Sequence, residues 1–264
     1  MKIQYPELSP GEIEVKILSG EVFVCGERIR DKNRLVKFSS PVEWKSGSSF
    51  VSRGGEKLEY ILKAWNITVR DKIWLDAGAS TGGFSDCLLK EGAKLIYAVD
   101  VGYNQLAYSL RRDERVVVWE RTNIRNITPE SFTSLPDAAV CDLSFRSIRG
   151  VAGHILKLVI SNTLLALVKP QFEYVNPPPE FAGVVKTDKE LVTIVSDLIY
   201  RLEEEGVFVQ RMDLSPIRGQ KGNREFFFLL TGKRVRTAAA SVAMLGELVA
   251  GDNAGNHRGY YAEG

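Results

Sequence analysis

The chain has 264 residues, of which 44% are hydrophobic and 26% are charged, so it can build one domain of ordinary size and a second, smaller one. Its formal net charge is +2, so bulk charge gives no argument for nucleic-acid binding and only local basic clusters could supply one. The three cysteines and two histidines lack metal-ligand spacing, and we expect no metal site. No signal-peptide pattern and no apolar run near ~20 residues is present, which favours a cytoplasmic protein with reduced thiols and no membrane partner.

Residues 1–45 differ in pattern from the rest of the chain. A short helix is predicted over Glu12–Leu18, followed by a hairpin whose turn is Cys25-Gly26. Several basic residues follow the hairpin, and their charge alone is explained by a solvent-exposed loop. The order of helix, S-G-x-V-x-V-x-G and basic stretch resembles the second half of the S-four RNA-binding domain, although Cys25 replaces the usual Asn and most of the first helix is missing. The resemblance implies that RNA contacts in this truncated domain come from Arg28, Arg30, Lys32 and Arg34.

Residues 46–57 are predicted as a linker, with the flexible run Ser46–Ser49 at its start. A helix follows, with an apolar face formed by Leu58, Ile61, Leu62 and Trp65. Arg53 and Lys57 lie at the helix entrance, where a cation opposes the helix macrodipole. A substrate phosphate would compensate for these charges, and an ordinary surface position explains them equally well.

The most informative stretch is Asp76–Phe84, in which an apolar strand ends in an acidic residue, turns through glycines and enters a helix. This is the first strand-to-helix turn of a nucleotide-binding type of sheet. It matches neither the dinucleotide fingerprint nor the phosphate loop, and no lysine follows. An acidic residue in the turn suits a cationic ligand, and S-adenosylmethionine is the candidate. The alternative is a glycine turn that only packs a helix against the sheet.

From Lys72 onward the chain alternates strands and helices, which predicts a mainly parallel sheet covered on both faces. Strands are predicted at 73–76, 94–100, 115–119, 138–142, 163–168, 207–213 and 225–230, and helices at 83–91, 104–112, 147–159 and 188–205. The last two strands form a predicted hairpin that adds one antiparallel strand, giving an α/β domain over 58–232. The tail 233–264 is expected to be poorly ordered, with at most a weak helix over Thr237–Val249.

Polar residues follow several of the predicted strands, and in an open α/β sheet the ligand crevice lies beyond those strand ends. Asp100 ends the second strand and is placed to bind ribose hydroxyls of an adenosine, while Thr122 and Asn123 could meet the adenine edge or simply form a turn. Asp142 and Lys169 end the fourth and fifth strands. A helix cap and an exit loop are the simpler interpretations of these two residues.

These residues would permit a displacement at a methyl carbon by a ribose 2′-hydroxyl, which must lose its proton to become a nucleophile. Lys169 is the candidate base, because a lysine can accept a proton when crowded cations favour its neutral form. Lys57 would orient the hydroxyl, and Asp142 and Glu225 would set the geometry and charge of the two lysines. No motif for methylation of a base carbon or amino group is present.

The chain resembles the TlyA (haemolysin A) family of FtsJ-like ribosomal RNA methyltransferases. The matching motifs are S-R-G-G-x-K-L at 52–58, D-A-G-A-S-T-G-G-F at 76–84, A-V-D-V-G-Y-x-Q-L at 98–106, E-R-T-N at 120–123, D-L-S-F at 142–145, K-P-Q-F-E at 169–173 and G-N-x-E-F at 222–226. The resemblance implies a Rossmann-like class I methyltransferase, S-adenosylmethionine as donor and cytidine 2′-O-methylation of ribosomal RNA. It places the family's catalytic tetrad on Lys57, Asp142, Lys169 and Glu225.

The resemblance also implies a donor-binding set and extends RNA contact to Arg53. The donor-binding residues would be Asp76, Gly78, Ser80, Thr81, Gly82, Gly83, Phe84, Asp100, Val101, Thr122, Asn123 and Asp142. Two other functions remain open at this point. One is a membrane-active haemolysin, against which the sequence offers no clear amphipathic lytic helix. The other is a non-catalytic RNA-binding protein, against which the intact tetrad argues.

Overall fold

The structure, a computed structural model, describes residues 5, 6, 8–18, 21–25, 27–29, 31–37, 39–44, 50–144, 147–219 and 221–253. Several sequence-predicted features lie outside these residues: Gly26 of the predicted hairpin turn, Arg30, the run Ser46–Ser49 and Phe145. The side chain of Arg28 and the tail beyond Asn253 also lie outside them.

The N-terminal part is a small α+β unit with its own core. Helix α1 (Pro10–Leu18) precedes strands β1 (Val22–Val24), β2 (Glu27–Ile29) and β3 (Val42–Trp44), which form an antiparallel sheet in the order β2-β1-β3. The predicted hairpin is present, and Cys25 at its turn has a φ of 52°. Strand β3 was not predicted. The core consists of Ile13, Ile17, Val22, Val24 and Ile29.

Helix α1 begins two residues before the predicted start at Glu12. Ser9 and Glu12 form a reciprocal cap, in which the Glu12 amide donates to Ser9 Oγ (3.2 Å) and the Ser9 amide donates to Glu12 Oε2 (2.7 Å). Pro10 occupies the first helical position, where its missing N–H has no intrahelical partner to lose.

The larger domain is built on a seven-stranded sheet, as the alternating pattern predicted. Its strands are β4 (Ile73–Ala77), β5 (Leu95–Val99), β6 (Val116–Trp119), β7 (Ala138–Cys141), β8 (Thr163–Val168), β9 (Phe208–Leu214) and β10 (Phe226–Thr231). Their order is β6-β5-β4-β7-β8-β10-β9, and β10 is antiparallel to both of its neighbours. The predicted Rossmann-like arrangement with one antiparallel strand is therefore confirmed.

Helices cover both faces of this sheet. They are α2 (Arg53–Ala64), α3 (Gly83–Lys90), α4 (Tyr108–Arg111), α5 (Ala152–Lys157), α6 (Pro170–Glu173), α7 (Asp188–Glu204) and α8 (Ala238–Asn253). Phe226 and Phe228 face a core shared with α5, α7 and α8, whereas Phe227 faces a second core shared with α2 and α3. All three phenylalanines are fully buried, as expected for a strand covered on both sides.

Two predicted helices are shorter than expected, and backbone conformation explains both. The helix predicted at 104–112 is reduced to α4, because Asn104 has a φ of 57° and cannot continue a right-handed helix. The helix predicted at 147–159 is reduced to α5, preceded by Gly150 with a φ of 64°.

The larger domain begins near residue 50, not at residue 58 after a linker over 46–57. Phe50 is buried in the core with α2 and α3, and the Val51 amide donates to Asp86 Oδ2 (2.8 Å). Helix α2 starts at Arg53, so Lys57 belongs to a helix that is part of the domain.

The expectation of a poorly ordered tail is wrong for residues 238–253, which form α8. Ala238, Leu245 and Val249 recur at helical spacing and are buried in the core, where α8 packs on α7 and β9. The many alanines, which have high helix propensity, obscured this apolar face in the sequence. Within the described ranges, no helix is long and apolar enough to cross a membrane.

Candidate active site

A cavity of about 450 Å³ lies at the carboxyl edge of the sheet. The turn after β4 forms one wall, with Gly78, Ala79, Ser80 and Thr81. The ends of β7 and β8 contribute Asp142 and Lys169, α2 contributes Lys57, and Glu225 reaches in from the residue before β10. The cavity thus lies where ligands bind in open α/β sheets, and all four side chains predicted as catalytic line it.

The four charged side chains form two lysine–carboxylate pairs. Lys57 Nζ donates to Glu225 Oε2 (2.6 Å), and these side chains are only 9% and 4% exposed. Lys169 Nζ lies 2.5 Å from Asp142 Oδ1, an ion pair whose angle is not that of a hydrogen bond, with side chains 12% and 26% exposed. Lys169 Nζ also donates to Ser144 Oγ (3.1 Å). Both pairs line the cavity, and the Lys57–Glu225 pair is the more deeply buried of the two.

Gly82 and Gly83, in the motif at 76–84, allow residues of α4 and of the start of α2 to pack closely against the turn after β4. A Cβ on Gly83 would lie 2.2 Å from Ser52 Oγ, at the residue that precedes α2. A Cβ on Gly82, whose φ is +95°, would lie 2.2 Å from Leu110 of α4. At these positions the glycines serve helix packing, which is the alternative left open by the sequence.

Gly78 has a different role, because it brings the turn after β4 against the end of β7. Its φ is +89°, and a Cβ there would lie 2.6 Å from the carbonyl oxygen of Asp142. The backbone of the turn is thereby held beside one of the charged residues of the cavity.

Asp76 is a fully buried carboxylate with one unsatisfied oxygen. Ser85 Oγ donates to Asp76 Oδ2 (2.7 Å), while Oδ1 has no hydrogen-bond partner among the described residues. Burial, opposed by the Ser85 hydrogen bond and assisted by the negative charges of Asp142 and Asp100, raises the pKa of Asp76 to about 7. Asp76 lies behind the cavity wall and does not line it. In its ionised form it therefore acts on the cavity as a nearby negative charge that favours a cationic ligand.

Asp100 links the turn after β4 to the end of β5 through hydrogen bonds of its carboxylate. Its Oδ2 accepts from the Ser80 amide (2.8 Å) and its Oδ1 accepts from the Gly102 amide (2.6 Å). Thr122 Oγ1 donates to the Glu120 carbonyl (3.0 Å), and Asn123 Oδ1 accepts from the Arg125 amide (3.0 Å) at the start of a 3₁₀ turn. The side chains of these three predicted donor-binding residues are thus engaged in local hydrogen bonds.

Half of the predicted donor-binding residues line the cavity and half do not. Those that line it are Gly78, Ser80, Thr81, Gly83, Phe84 and Asp142. Those that do not are Asp76, Gly82, Asp100, Val101, Thr122 and Asn123. Val101 is exposed, and residues 100, 101, 122 and 123 follow β5 and β6, at the same edge of the sheet.

Three of the predicted RNA-binding residues, Arg53, Lys32 and Arg34, have side chains that the structure describes. Arg53 is exposed and lines the cavity. Lys32 forms an ion pair with Glu14 (2.5 Å) in which both side chains are about half exposed, at 50% and 44%. Arg34 is exposed in the loop before β3.

Several cavity residues were not singled out by the sequence analysis. They are Ser144, Gln171, Phe172, Gly183, Lys221 and Asn223. Ser144, Gln171, Phe172 and Asn223 stand inside quoted motifs, so their spacing from strand ends could have identified them. Gln171 Oε1 is buried with no hydrogen-bond partner in the described part of the chain. Asn223 Nδ2 donates to the Gly183 carbonyl (2.9 Å), which holds one wall in place.

Glu173 supports the loop that follows β7. It is buried, accepts from the Ile148 amide (3.0 Å) and from Ser147 Oγ, and lies 3.9 Å from Arg149 Nε. Burial raises the pKa of Glu173, and these hydrogen bonds counteract the shift.

The chemistry open to the cavity is proton transfer and charge stabilisation. Burial raises the pKa of the Cys87 and Cys141 thiols, so neither is a nucleophile at neutral pH. Across the described residues, no group of three His, Cys, Asp or Glu side chains could hold a metal ion. Lysines paired with carboxylates remain as the groups that can accept or donate a proton.

The chain is similar to several known proteins. Residues 50–231 match the protein family described as FtsJ-like methyltransferase. The 16S/23S rRNA (cytidine-2'-O)-methyltransferase TlyA of Mycobacterium tuberculosis (strain ATCC 25618 / H37Rv) is 41% identical over 74% of this chain and 73% of its own. Hemolysin A of Brachyspira hyodysenteriae is 42% identical over 80% of this chain and 88% of its own. The solved structure of a proposed hemolysin from Streptococcus thermophilus has a TM-score of 0.70 and 33% identity, over 93% of both chains.

Proposed function

The chain belongs to the FtsJ-like methyltransferase family, and we propose that it methylates the 2′-oxygen of a cytidine ribose in ribosomal RNA, with S-adenosylmethionine as donor. The observation that supports this most is the meeting of Lys57, Asp142, Lys169 and Glu225 in one cavity at the carboxyl edge of the sheet. The choice of cytidine and of ribosomal RNA rests on the name of the Mycobacterium tuberculosis relative. A ribosomal substrate would place the enzyme in the cytoplasm.

The residues of the cavity fit a cationic methyl donor. The turn Gly78–Thr81, Phe84 and Asp142 would hold it, and the unsatisfied buried oxygen of Asp76 supplies negative potential behind them. When bound, S-adenosylmethionine supplies a methyl group already activated by a positively charged sulfur.

Lys57 is suited to orient the 2′-hydroxyl. Its Nζ donates to Glu225 Oε2 at 2.6 Å and both side chains are buried, so the position of Nζ is set by this pair. A hydrogen bond from Lys57 Nζ to the 2′-oxygen would direct that oxygen toward the methyl carbon.

Lys169 is suited to accept the proton, because it is the more accessible lysine of the two. To act as the base, the Lys169 ammonium first releases a proton to solvent; the neutral Nζ then takes the proton of the 2′-hydroxyl and becomes an ammonium again. Asp142, at 2.5 Å, stabilises that ammonium, so the charge created by the transfer has a partner in place. The proton can leave to solvent along the exposed side of the pair.

Labelled methyl transfer to ribosomal subunits tests this proposal with Lys169→Ala. We expect the variant to lose at least about 100-fold in rate, with donor affinity within about twofold of wild type because Lys169 is not in the predicted donor site. Lys94→Ala is the matched control, since Lys94 is exposed before β5 at the opposite edge of the sheet. Normal turnover by Lys169→Ala would show that the base is another group.

A further inference from the structure

The side chains that line the cavity carry more positive than negative charges. Six charged side chains line it, namely Arg53, Lys57, Lys169, Lys221, Asp142 and Glu225. The two carboxylates pair with Lys57 and Lys169. Arg53 and Lys221 are exposed, and neither forms an ion pair within the described residues. The mouth of the cavity therefore has an excess of two positive charges.

Arg53 and Lys221 lie on the two chain segments that the Lys57–Glu225 pair joins. Arg53 precedes Lys57 by four residues on α2, and Lys221 precedes Glu225 by four residues in the β9–β10 connection. The hydrogen bond from Lys57 to Glu225 links the two segments at 2.6 Å. The two segments that carry Arg53 and Lys221 are thus joined at the site where the 2′-hydroxyl would react.

The segment that carries Lys221 is held in place. The Gly222 amide donates to the Gly219 carbonyl and the Gly219 amide donates to the Asn223 carbonyl, both at 2.8 Å. Asn223 Oδ1 accepts from the Val185 amide (2.9 Å), which ties this turn to the opposite wall. Lys221 Nζ reaches that wall, since it lies 3.7 Å from the position of a Cβ on Gly183.

We propose that Lys221 is a phosphate-binding residue which, together with Arg53, holds the RNA backbone across the mouth of the cavity. The inference rests on the proposed function, because it requires an RNA strand to enter here. A ribose that presents its 2′-hydroxyl to Lys57 and Lys169 carries a phosphate on each side. The two catalytic lysines are neutralised by their carboxylates, so Arg53 and Lys221 supply the charge that attracts those phosphates.

Direct RNA binding tests the proposal, with fluorescence anisotropy of a labelled ribosomal RNA fragment over a range of salt concentrations. Lys221→Ala should bind roughly three- to tenfold more weakly at low salt, and the slope of log affinity against log salt should fall by about 0.7. Lys221→Arg should stay within about twofold of wild type, since it keeps the charge. Lys221→Glu should be weaker than Lys221→Ala, and Lys94→Ala should behave as wild type.

Methyl transfer by the same variants separates this proposal from the proposed function. Lys221→Ala should raise KM for RNA by the factor seen in binding while kcat and donor affinity stay near wild type. An unchanged salt slope in Lys221→Ala would overturn the phosphate contact even if the wild type methylates RNA normally. If the wild type binds RNA with the expected slope but transfers no methyl group, the proposed function fails and the phosphate contact stands.

Discussion

Lys57 and Glu225 are 168 residues apart in the chain and 2.6 Å apart in the structure, and both are buried. The pair connects α2 to the residue before β10. Because neither charge has much access to water, each depends on the other for its stability.

Removal of one partner of the Lys57–Glu225 pair should therefore destabilise the folded protein. Glu225→Leu leaves the Lys57 ammonium buried without a partner and should lower the free energy of unfolding by about 3 kcal/mol or more. Urea unfolding measures this change. The double variant Lys57→Met/Glu225→Leu should recover most of the loss while methyl transfer stays abolished. A double variant as unstable as the single one would show that packing, not charge, holds this contact.

Asp76 should make the stability of the donor-free protein depend on pH. Its pKa is 3.8 in an unfolded chain and about 7 in the folded protein, where burial disfavours the charge. Between these values the folded state keeps a proton that the unfolded state has lost, so this group's contribution to stability falls as pH rises. Asp76→Asn should remove that part of the pH dependence, measured by urea unfolding from pH 4 to 8. Parallel curves for variant and wild type would contradict the assignment.

The affinity for the methyl donor should depend on pH in the opposite sense, through the same residue, Asp76. The ionised form of Asp76 favours a cationic ligand, so affinity for S-adenosylmethionine should rise with pH through about 7. Isothermal titration calorimetry should find Asp76→Asn weaker and less sensitive to pH. An equally steep dependence in the variant would assign the effect to another group.

Gly78 and Gly246 should respond in opposite ways to substitution by alanine. At Gly78 the φ of +89° and the contact of 2.6 Å with the Asp142 carbonyl leave no room for a Cβ, so Gly78→Ala should destabilise the protein by at least about 1 kcal/mol and displace Asp142. Gly246 lies inside α8 with nothing within 4 Å of its Cβ position, and Gly246→Ala should stabilise by up to about 1 kcal/mol. Thermal unfolding distinguishes them, and equal effects would contradict the local geometry.

Helix α8 should be part of the stable core although it lies beyond the residues that match the family. Leu245 is fully buried, and Leu245→Ala should lower the free energy of unfolding by about 2–4 kcal/mol. Glu247→Ala on the exposed side is the control and should change little. If both variants unfold like the wild type, α8 is not docked in solution.

The sheet was predictable because its strands are continuous apolar runs bounded by turns, and the same logic located Asp142 and Lys169 at strand ends. The pairing of Lys57 with Glu225 was not, since no local pattern reports a contact across 168 residues. The packing role of Gly83 could not be predicted from its own motif, because the side chain that it makes room for, Ser52, belongs to the start of a different helix, α2. Lys221 escaped notice because a lysine in a turn has no pattern until the cavity around it is known.

Product analysis tests the central claim most directly. Ribosomal RNA methylated by the wild-type protein with labelled S-adenosylmethionine would be digested to nucleosides and separated by liquid chromatography with mass spectrometry. The tetrad geometry predicts label in a 2′-O-methylated nucleoside, with 2′-O-methylcytidine the expected product, and none after Lys169→Ala. Label on a base, or transfer that survives the loss of Lys169, would contradict ribose methylation by the two lysine–carboxylate pairs.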